Sequence, residues 1–137
     1  MSAWFCIITS DNWPIVRDKK LYSVPRSARR TFSQVKKGDI FLFYLTSPIR
    51  GVIGVYEAVS DTFETQELSP WQDRLYPYRV VIKPLSNITS ELREPIPFDK
   101  IVGKAEKIKS GYSLYGKSLI PLSQEEYREI TKGLQGV

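Results

Sequence analysis

Short apolar runs separated by polar turns form the main pattern along the chain. They are rich in aromatic and β-branched residues, which favour strands. The runs that predict strands are residues 4–9, 40–45, 52–59 and 78–83. A Ser47-Pro48 loop between the second and third runs predicts an antiparallel hairpin, and Gly54 predicts a bulge or a close backbone approach within it.

The last part of the chain carries the clearest helix signal. Ser123 and Glu126 have the spacing of a capping box, in which each side chain bonds the other residue's backbone N–H. This spacing predicts a helix over residues 124–134 with one apolar face. That face comprises Tyr127, Ile130 and Leu134.

Two shorter helices are predicted nearer the start. Asn12 can cap the first, with Trp13 and a proline in its first turn. Ser27 can cap the second, a basic helix that continues to about Val35. The whole pattern predicts an α+β fold in a single domain of residues 1–137. We expect a strongly curved mixed β-sheet that closes towards a barrel, with flanking short helices and a C-terminal helix.

Charge is distributed unevenly along the 137 residues. The chain holds 20 basic and 15 acidic residues, and 42% of its residues are hydrophobic, which is enough for a folded core. The first basic segment, residues 17–37, holds eight basic residues and one acidic residue, a net charge of +7. Residues 52–73 hold five acidic and no basic residues. Each run is either a solvated face or a contact surface, and a basic surface suits nucleic acid.

Composition excludes several kinds of active site. The absence of histidine excludes His-based triads and His metal sites, and the single cysteine, Cys6, excludes an intrachain disulfide. A converging pair of carboxylates remains the open route to catalysis. We expect no enzyme activity, no cofactor and no metal site. No apolar run reaches the ~20 residues that span a bilayer, so we expect a cytoplasmic protein without membrane contact.

Two segments place hydrogen-bonding groups beside aromatic rings at the end of a predicted strand. In the first, Thr9, Ser10 and Asn12 come just before Trp13. In the second, Tyr76-Pro77-Tyr78-Arg79 opens the run at 78–83. Such a combination suits a planar polar ligand such as a nucleobase, held by stacking and by hydrogen bonds to its edge.

Three of the candidate residues have alternative interpretations. Tyr22 follows basic residues on what reads as irregular chain, which makes its ring a stacking candidate rather than a core residue. Trp13 either covers the first strand as part of the core or faces the cleft. Arg79 either forms a structural ion pair or contacts the ligand.

The chain resembles the EVE domain family, part of the PUA-like superfamily that includes the YTH readers of N6-methyladenine. The resemblance covers nearly the whole chain in the expected order. The segments that carry it are Trp4-Phe5-Cys6-Ile7, Thr9-Ser10-Asp11-Asn12-Trp13, Tyr22-Ser23-Val24-Pro25, Lys37-Gly38-Asp39, Tyr76-Pro77-Tyr78-Arg79-Val80, Gly116-Lys117 and Leu122-Ser123-Gln124-Glu125-Glu126-Tyr127.

This resemblance implies a barrel-like fold with a pocket for a modified base. By similarity, Thr9, Ser10 and Asn12 fall where such readers hydrogen-bond the base, and Tyr78 and Arg79 fall near the second wall. Tyr22 falls where the relatives usually carry a cage tryptophan, so this chain departs from the family pattern there. Tyrosine still stacks, with less area and a polar tip.

The sequence therefore favours a non-catalytic module that binds RNA or DNA through a modified or flipped base. The predicted base pocket comprises Thr9, Ser10, Asn12, Trp13, Tyr22, Tyr78 and Arg79. The predicted phosphate-binding residues are Arg17, Lys19, Lys20, Arg26, Arg29 and Arg30. The alternative is a protein-interaction or toxin–antitoxin-like accessory module, whose partner contacts the acidic residues between positions 57 and 73.

Overall fold

A mixed β-sheet organises the chain. The structure is a computed structural model that describes residues 1–66, 76–85 and 88–134. Eight strands are present in the described residues, and β5 and β7 are only two residues long. Their bounds are β1 Ala3–Ile8, β2 Leu21–Val24, β3 Ile40–Leu45, β4 Gly51–Ala58, β5 Phe63–Glu64, β6 Tyr78–Pro84, β7 Ile96–Pro97 and β8 Leu119–Leu122. Across the sheet the order is β2-β6-β4-β3-β1-β8, with β5 paired to β6 and β7 to β4.

The predicted hairpin lies at the centre of the sheet. β3 and β4 form the antiparallel hairpin, with Phe41 opposite Tyr56. β1 runs parallel to β3, with Phe5 opposite Leu42, and antiparallel to β8. The sheet is strongly curved into a half barrel. The predicted α+β fold with a curved mixed sheet is confirmed.

Three helices flank the sheet, α1 Trp13–Lys19, α2 Arg29–Phe32 and α3 Gln124–Thr131. α3 begins with the predicted capping box. The Oγ of Ser123 accepts from the Glu126 N–H at 3.0 Å, and Oε1 of Glu126 accepts from the Ser123 N–H at 2.7 Å. α3 ends three residues earlier than predicted, and Gly133 just beyond it adopts a left-handed φ of 94°.

The predicted cap of α1 is wrong in its chemistry. Asn12 occupies the position before α1, but its side chain makes no capping hydrogen bond. The carbonyl of Thr9 instead accepts the backbone N–H groups of Asn12 and Trp13, at 3.2 and 3.1 Å. The Asn12 amide is therefore not used by the helix.

The second short helix also differs from the prediction. Ser27 lies inside a 3-10 turn, Arg26–Ala28, and α2 ends well before Val35. The cause lies just downstream, at the buried carboxylate of Asp39. It accepts the backbone N–H of Lys36 at 2.9 Å, which holds the chain in a turn instead of a helix.

Two apolar clusters cover the two faces of the sheet. Alternate side chains of β1 point to opposite faces, so Trp4 and Cys6 join one cluster and Phe5 joins the other. Trp13 and Tyr22 pack in the first cluster, and residues of α3 pack in the second. α1 therefore covers one face of the sheet, and α3 covers the other.

Gly54 in β4 marks both a bulge and a close approach, as predicted. The register shifts between Phe43, which pairs with Gly54, and Tyr44, which pairs with Val52. A β-carbon on Gly54 would lie 2.7 Å from Cη2 of Trp13, closer than any real side chain tolerates. The missing side chain lets the indole of α1 pack directly on β4.

The acidic run is only partly described. Its first part forms β4 and the short β5, whereas residues 67–73 lie outside the described residues. The protein-contact hypothesis for this run stays a prediction. Among the described residues, none of the helices combines the length and the apolar character needed to cross a membrane.

Candidate functional site

A central cavity of about 210 Å³ opens at the end of β1. β1 lies between β3, which is parallel to it, and β8, which is antiparallel, so the segments that leave β1 and β3 meet the segment that enters β8. The cavity also takes residues from β2 and from the segment before β6. Its lining comprises Ile7, Ile8, Thr9, Asn12, Tyr22, Ser23, Thr46, Tyr76, Lys117 and Ser118.

The carbonyl of Ser118 fixes one side of this cavity. It accepts the backbone N–H of Ile7 at 2.9 Å and the hydroxyl of Tyr22 at 3.0 Å. Opposite, the backbone N–H of Thr46 donates to the carbonyl of Ile8 at 3.1 Å. These hydrogen bonds join four segments that are distant in sequence, so they hold the backbone around the cavity in a fixed arrangement.

Tyr22 contributes its hydroxyl edge to the cavity rather than an open ring face. It lies in β2, not on irregular chain as predicted, and is only 2% exposed. Three core rings surround it, Phe32, Phe41 and Phe43, with centroids 5.2 to 6.0 Å away. Burial raises the pKa of Tyr22 well above its usual value. Its hydroxyl therefore stays protonated as a donor at neutral pH.

The structure brings three of the seven predicted pocket residues to this cavity, Thr9, Asn12 and Tyr22. Ser10 does not line it, and the Ser10 hydroxyl is buried with no hydrogen-bond partner among the described residues. Trp13 is a core residue, 2% exposed, and its Nε1 donates to Oε1 of Glu91 at 2.7 Å.

Tyr78 and Arg79 lie outside the central cavity. Tyr78 lines a separate cavity of about 140 Å³ together with Arg29. Arg79 is 4% exposed, and its Nε donates to the carbonyl of Tyr76 at 3.3 Å. Arg79 therefore acts on the cavity through Tyr76, whose ring the sequence did not assign to the site.

Four further polar lining residues were missed at the sequence level: Ser23, Thr46, Lys117 and Ser118. Ser23 is 4% exposed, and its hydroxyl has no hydrogen-bond partner among the described residues. A buried hydroxyl without a partner is costly, which favours a polar ligand atom beside it.

A spacing in the sequence could have drawn attention to Lys117 and Ser118. Residues 111–118 match Gly-x-x-x-x-Gly-Lys-Ser, the pattern of a P-loop. A P-loop connects a strand to a helix, whereas here a 3-10 turn over Gly111–Leu114 leads into β8. The backbone N–H groups of Ser113, Tyr115 and Lys117 donate within the loop itself. The match therefore does not make a nucleoside-triphosphate loop, although it places a lysine at the cavity.

The central cavity continues in two directions. Lys117 and Ser118 also line a cavity of about 180 Å³ beside Thr31, which leads to one of about 580 Å³ lined by Lys107 and Lys109. We call this continuation the lysine groove. In the other direction, Ile7 and Thr46 also line a cavity of about 300 Å³. We call it the tyrosine cavity, because its wall includes Tyr115.

Comparison with known proteins assigns the chain to a family. The sequence model of the EVE domain matches residues 2–133. The chain belongs to the EVE domain family. A UPF0310 protein of Pyrococcus abyssi is 31% identical over 140 residues, which cover 95% of this chain and 97% of that protein.

Solved structures share the fold of this EVE domain. The crystal structure of a protein from Agrobacterium tumefaciens, Atu2648, has a TM-score of 0.65 at 18% identity, covering 95% of this chain and 90% of that one. The YTH domain of Zygosaccharomyces rouxii MRB1, solved in complex with N6-methyladenosine RNA, has a TM-score of 0.65 at 15% identity, covering 95% and 85%. This EVE domain thus shares its fold with a YTH domain that was solved in complex with RNA.

None of the six predicted phosphate-binding residues lines the central cavity of the EVE domain. Arg17 forms ion pairs with two carboxylates: its Nε lies 2.9 Å from Asp18 and its Nη1 lies 3.5 Å from Glu91. Lys19 and Lys20 lie at the end of α1. Arg26, Arg29 and Arg30 are exposed on the segment whose Ser27, Ala28 and Thr31 line the lysine groove.

The cations of the lysine groove are differently placed. Lys107, Lys109 and Lys117 are exposed, line the cavities directly and form no ion pair within the described residues. No group of three or more His, Cys, Asp or Glu side chains able to hold a metal ion occurs in the described part of the chain. Cys6 is fully buried, and burial raises the pKa of its thiol.

Proposed function

We propose that this EVE domain is a non-catalytic module that binds RNA or DNA and accommodates one modified or flipped base in the central cavity. The observation that carries the proposal is the meeting of Thr9, Asn12 and Tyr22 at one cavity that also contains Lys117. The shared fold with YTH domains solved in complex with RNA supports it.

The size of the cavity fits a single base. Its volume of about 210 Å³ lies below the ~300–1,000 Å³ of pockets for drug-sized ligands. A small planar group suits that space, and the rest of the nucleotide chain would run outside. A base can enter only when it is unstacked, as in a single strand or after flipping.

Hydrogen bonds to the base edge come from Asn12 and Thr9. Asn12 offers an amide donor and an amide acceptor, and its side chain makes no capping bond with α1. The Thr9 hydroxyl lies beside it, and the unpartnered Ser23 hydroxyl adds a third polar group. A site of this kind rejects bases whose edge leaves its buried groups unpaired.

The stacking ring is Tyr76 rather than Tyr22. Tyr22 is only 2% exposed and packs among three core phenylalanines, so its ring cannot take a base without opening the core. Tyr76 lines the cavity, is half-buried, and has its carbonyl held by Arg79. This arrangement explains how the EVE domain dispenses with the tryptophan that relatives usually carry at position 22.

A titration of nucleosides tests the proposal. We expect at least one of adenosine, N6-methyladenosine, cytidine and 5-methylcytidine to bind in isothermal titration calorimetry, and Asn12→Ala to weaken that binding about tenfold through loss of a buried hydrogen bond. Lys19→Ala, an exposed lysine on α1, is the control and should leave the affinity unchanged. Equal affinities of the Asn12→Ala and wild-type proteins would refute the assignment of the cavity.

A further inference from the structure

Two tyrosines of the loop that precedes β8 are almost fully exposed. Tyr112 is 90% and Tyr115 is 88% exposed, whereas most other described aromatic rings are buried in the core. Both belong to the loop around the 3-10 turn Gly111–Leu114. Two large rings this exposed on one short loop form an apolar surface, and such surfaces often mark binding sites.

The loop that carries these rings is held in place. The Oγ of Ser113 accepts the backbone N–H of Ser110 at 3.2 Å, and the Ser113 N–H donates to the Ser110 carbonyl at 3.0 Å. The Tyr115 N–H donates to the Tyr112 carbonyl at 3.2 Å. A ring on a fixed backbone loses little conformational freedom when a ligand stacks on it.

Only one of the two rings adjoins a cavity at the site. Tyr115 lines the tyrosine cavity, which shares Ile7 and Thr46 with the central cavity, and Tyr112 does not line it. Arg50 lies on the same wall, with its guanidinium 5.8 Å from the centroid of Phe98. None of the described residues that line the tyrosine cavity is acidic.

We propose that Tyr115 is a stacking platform for the nucleotide next to the base in the central cavity, with Arg50 at the phosphate that joins the two. The proposal rests on the function proposed above, because it needs a strand whose neighbouring base lies in that cavity. An exposed ring beside unpaired cations is the arrangement with which proteins hold single strands. The shared wall of the two cavities places the sites one after the other along a strand.

The subsite tolerates any base. Stacking on Tyr115 uses the face of the base, which every base possesses, so this contact does not depend on the base's edge. Tyr115 therefore raises affinity for a strand without changing the preference for the base in the central cavity. A free nucleoside gains nothing from it.

The test compares three variants on a defined probe. The probes are two fluorescently labelled RNA pentanucleotides with two uridines on each side of a central nucleoside. The central nucleoside is N6-methyladenosine in one probe and adenosine in the other. In fluorescence anisotropy, Tyr115→Ala should weaken binding of both about tenfold, in line with the loss of one stacked base. Tyr115→Phe should bind as wild type does, because the ring remains. Tyr112→Ala is the matched control, since its ring is equally exposed on the same turn, and it should also bind as wild type does.

A second set of probes identifies the stacked base. Probes with an abasic nucleotide on the 5′ or the 3′ side of the centre keep every phosphate. One of them should bind the wild-type protein about tenfold more weakly, and Tyr115→Ala should cause no further loss on that probe. An equal loss for Tyr115→Ala on intact and abasic probes, or equal effects of Tyr115→Ala and Tyr112→Ala, would overturn the proposal.

The two proposals fail in different ways. If Asn12→Ala weakens binding while Tyr115→Ala does not, the central cavity stands and the stacking subsite is wrong. If Tyr115→Ala weakens binding while Asn12→Ala does not, the strand binds elsewhere and the proposed function is wrong. If no probe binds at low salt, both are wrong.

Discussion

The two basic segments of this EVE domain differ in how many cations they place at the central cavity, and their net charges do not predict that difference. The first, residues 17–37, carries a net charge of +7, whereas the second, residues 100–117, has five lysines and one glutamate, a net charge of +4. The more highly charged segment contributes no cation to the central cavity, and the less charged one contributes Lys117 to that cavity and Lys107 and Lys109 to the lysine groove.

The fold explains this difference. α1 turns Arg17 towards Asp18 and Glu91, whose carboxylates lie within 3.5 Å and offset its charge. The second segment leads into the edge strand β8, next to the cavities. A cation in a concave site attracts an anionic ligand more strongly than a cation on an open face, where water and salt screen its charge within about 8–10 Å. Charge counted along a sequence therefore locates a binding surface only after the fold is known.

The largest expected effect is a loss of oligonucleotide affinity when Lys109 and Lys117 are both replaced with alanine. Each phosphate contact to a single strand steepens log K against log salt by about 0.7. Loss of two contacts should flatten the slope by about 1.4 and weaken binding about 100-fold at ~50 mM salt. Anisotropy titrations at several salt concentrations measure both quantities.

The matched control for this experiment is the pair Lys19→Ala and Lys36→Ala. These exposed lysines of the first basic segment line none of the cavities described above. They should change neither slope nor affinity appreciably. If the two pairs of substitutions act alike, the distinction between the segments does not hold.

The contact between α1 and β4 gives the next largest effect. In Gly54→Ala the new methyl group would collide with the indole of Trp13, which lies 2.7 Å from the β-carbon position. Overpacking of this kind costs about 1–3 kcal/mol of unfolding free energy. Gly111→Ala is the control, because nothing lies within 4 Å of its β-carbon position. Urea denaturation of both variants checks the prediction, and equal midpoints would contradict it.

A smaller effect is expected from alkaline pH. Burial raises the pKa of Tyr22 well above its usual value, and it raises those of Tyr56 and Tyr127 to about 12. The folded state then keeps protons that the unfolded state loses above pH ~10, so stability is complete below that pH and falls above it. Each such tyrosine contributes a decline of up to about 1.4 kcal/mol per pH unit.

Tyr22→Phe separates this contribution from the others. The variant loses the hydrogen bond to Ser118, worth about 1 kcal/mol at neutral pH. Its unfolding free energy should decline less steeply than that of the wild type between pH 10 and 11, as followed by urea denaturation at each pH. Parallel declines would mean that Tyr22 does not control the alkaline limit.

The smallest expected effect concerns the arginines beside the lysine groove. Arg29 and Arg30 are exposed on α2 but line neither the central cavity nor the groove. Replacing both with alanine should flatten the salt slope by less than the ~0.7 expected for one phosphate contact. A change as large as that of the Lys109 and Lys117 pair would place the strand over α2 instead.

Strands with strong apolar runs could be predicted from the sequence, and weak ones could not. The runs at 40–45 and 78–83 correspond to β3 and β6 within one residue. β2 and β8 have four residues each, and β8 contains Pro121, which argues against a central strand. Pro121 is tolerated because β8 lies at the edge of the sheet, where it is paired with β1. Such strands are defined by their partners rather than by their own composition.

The residues of the candidate site also divide into those that the sequence could predict and those that it could not. Thr9 and Asn12 could be predicted because a polar turn directly follows a recognisable strand. Tyr22 reaches the cavity through a strand that the pattern did not reveal, so its predicted open ring face is replaced by a hydroxyl edge. Lys117 lies about a hundred residues from Thr9 in sequence and reaches it only through the pairing of β1 with β8.

The hydrogen bond from Tyr22 to the Ser118 carbonyl, across 96 residues of sequence, has a consequence for synthesis of the chain. A ribosome adds about 5–20 residues each second, so Ser118 follows Tyr22 by roughly 5–20 seconds. Until then one wall of the cavity is missing, and β1 lacks its outer neighbour. Under the proposed function, a nascent chain cannot hold a base before Ser118 has been added, because one wall of the cavity is missing until then.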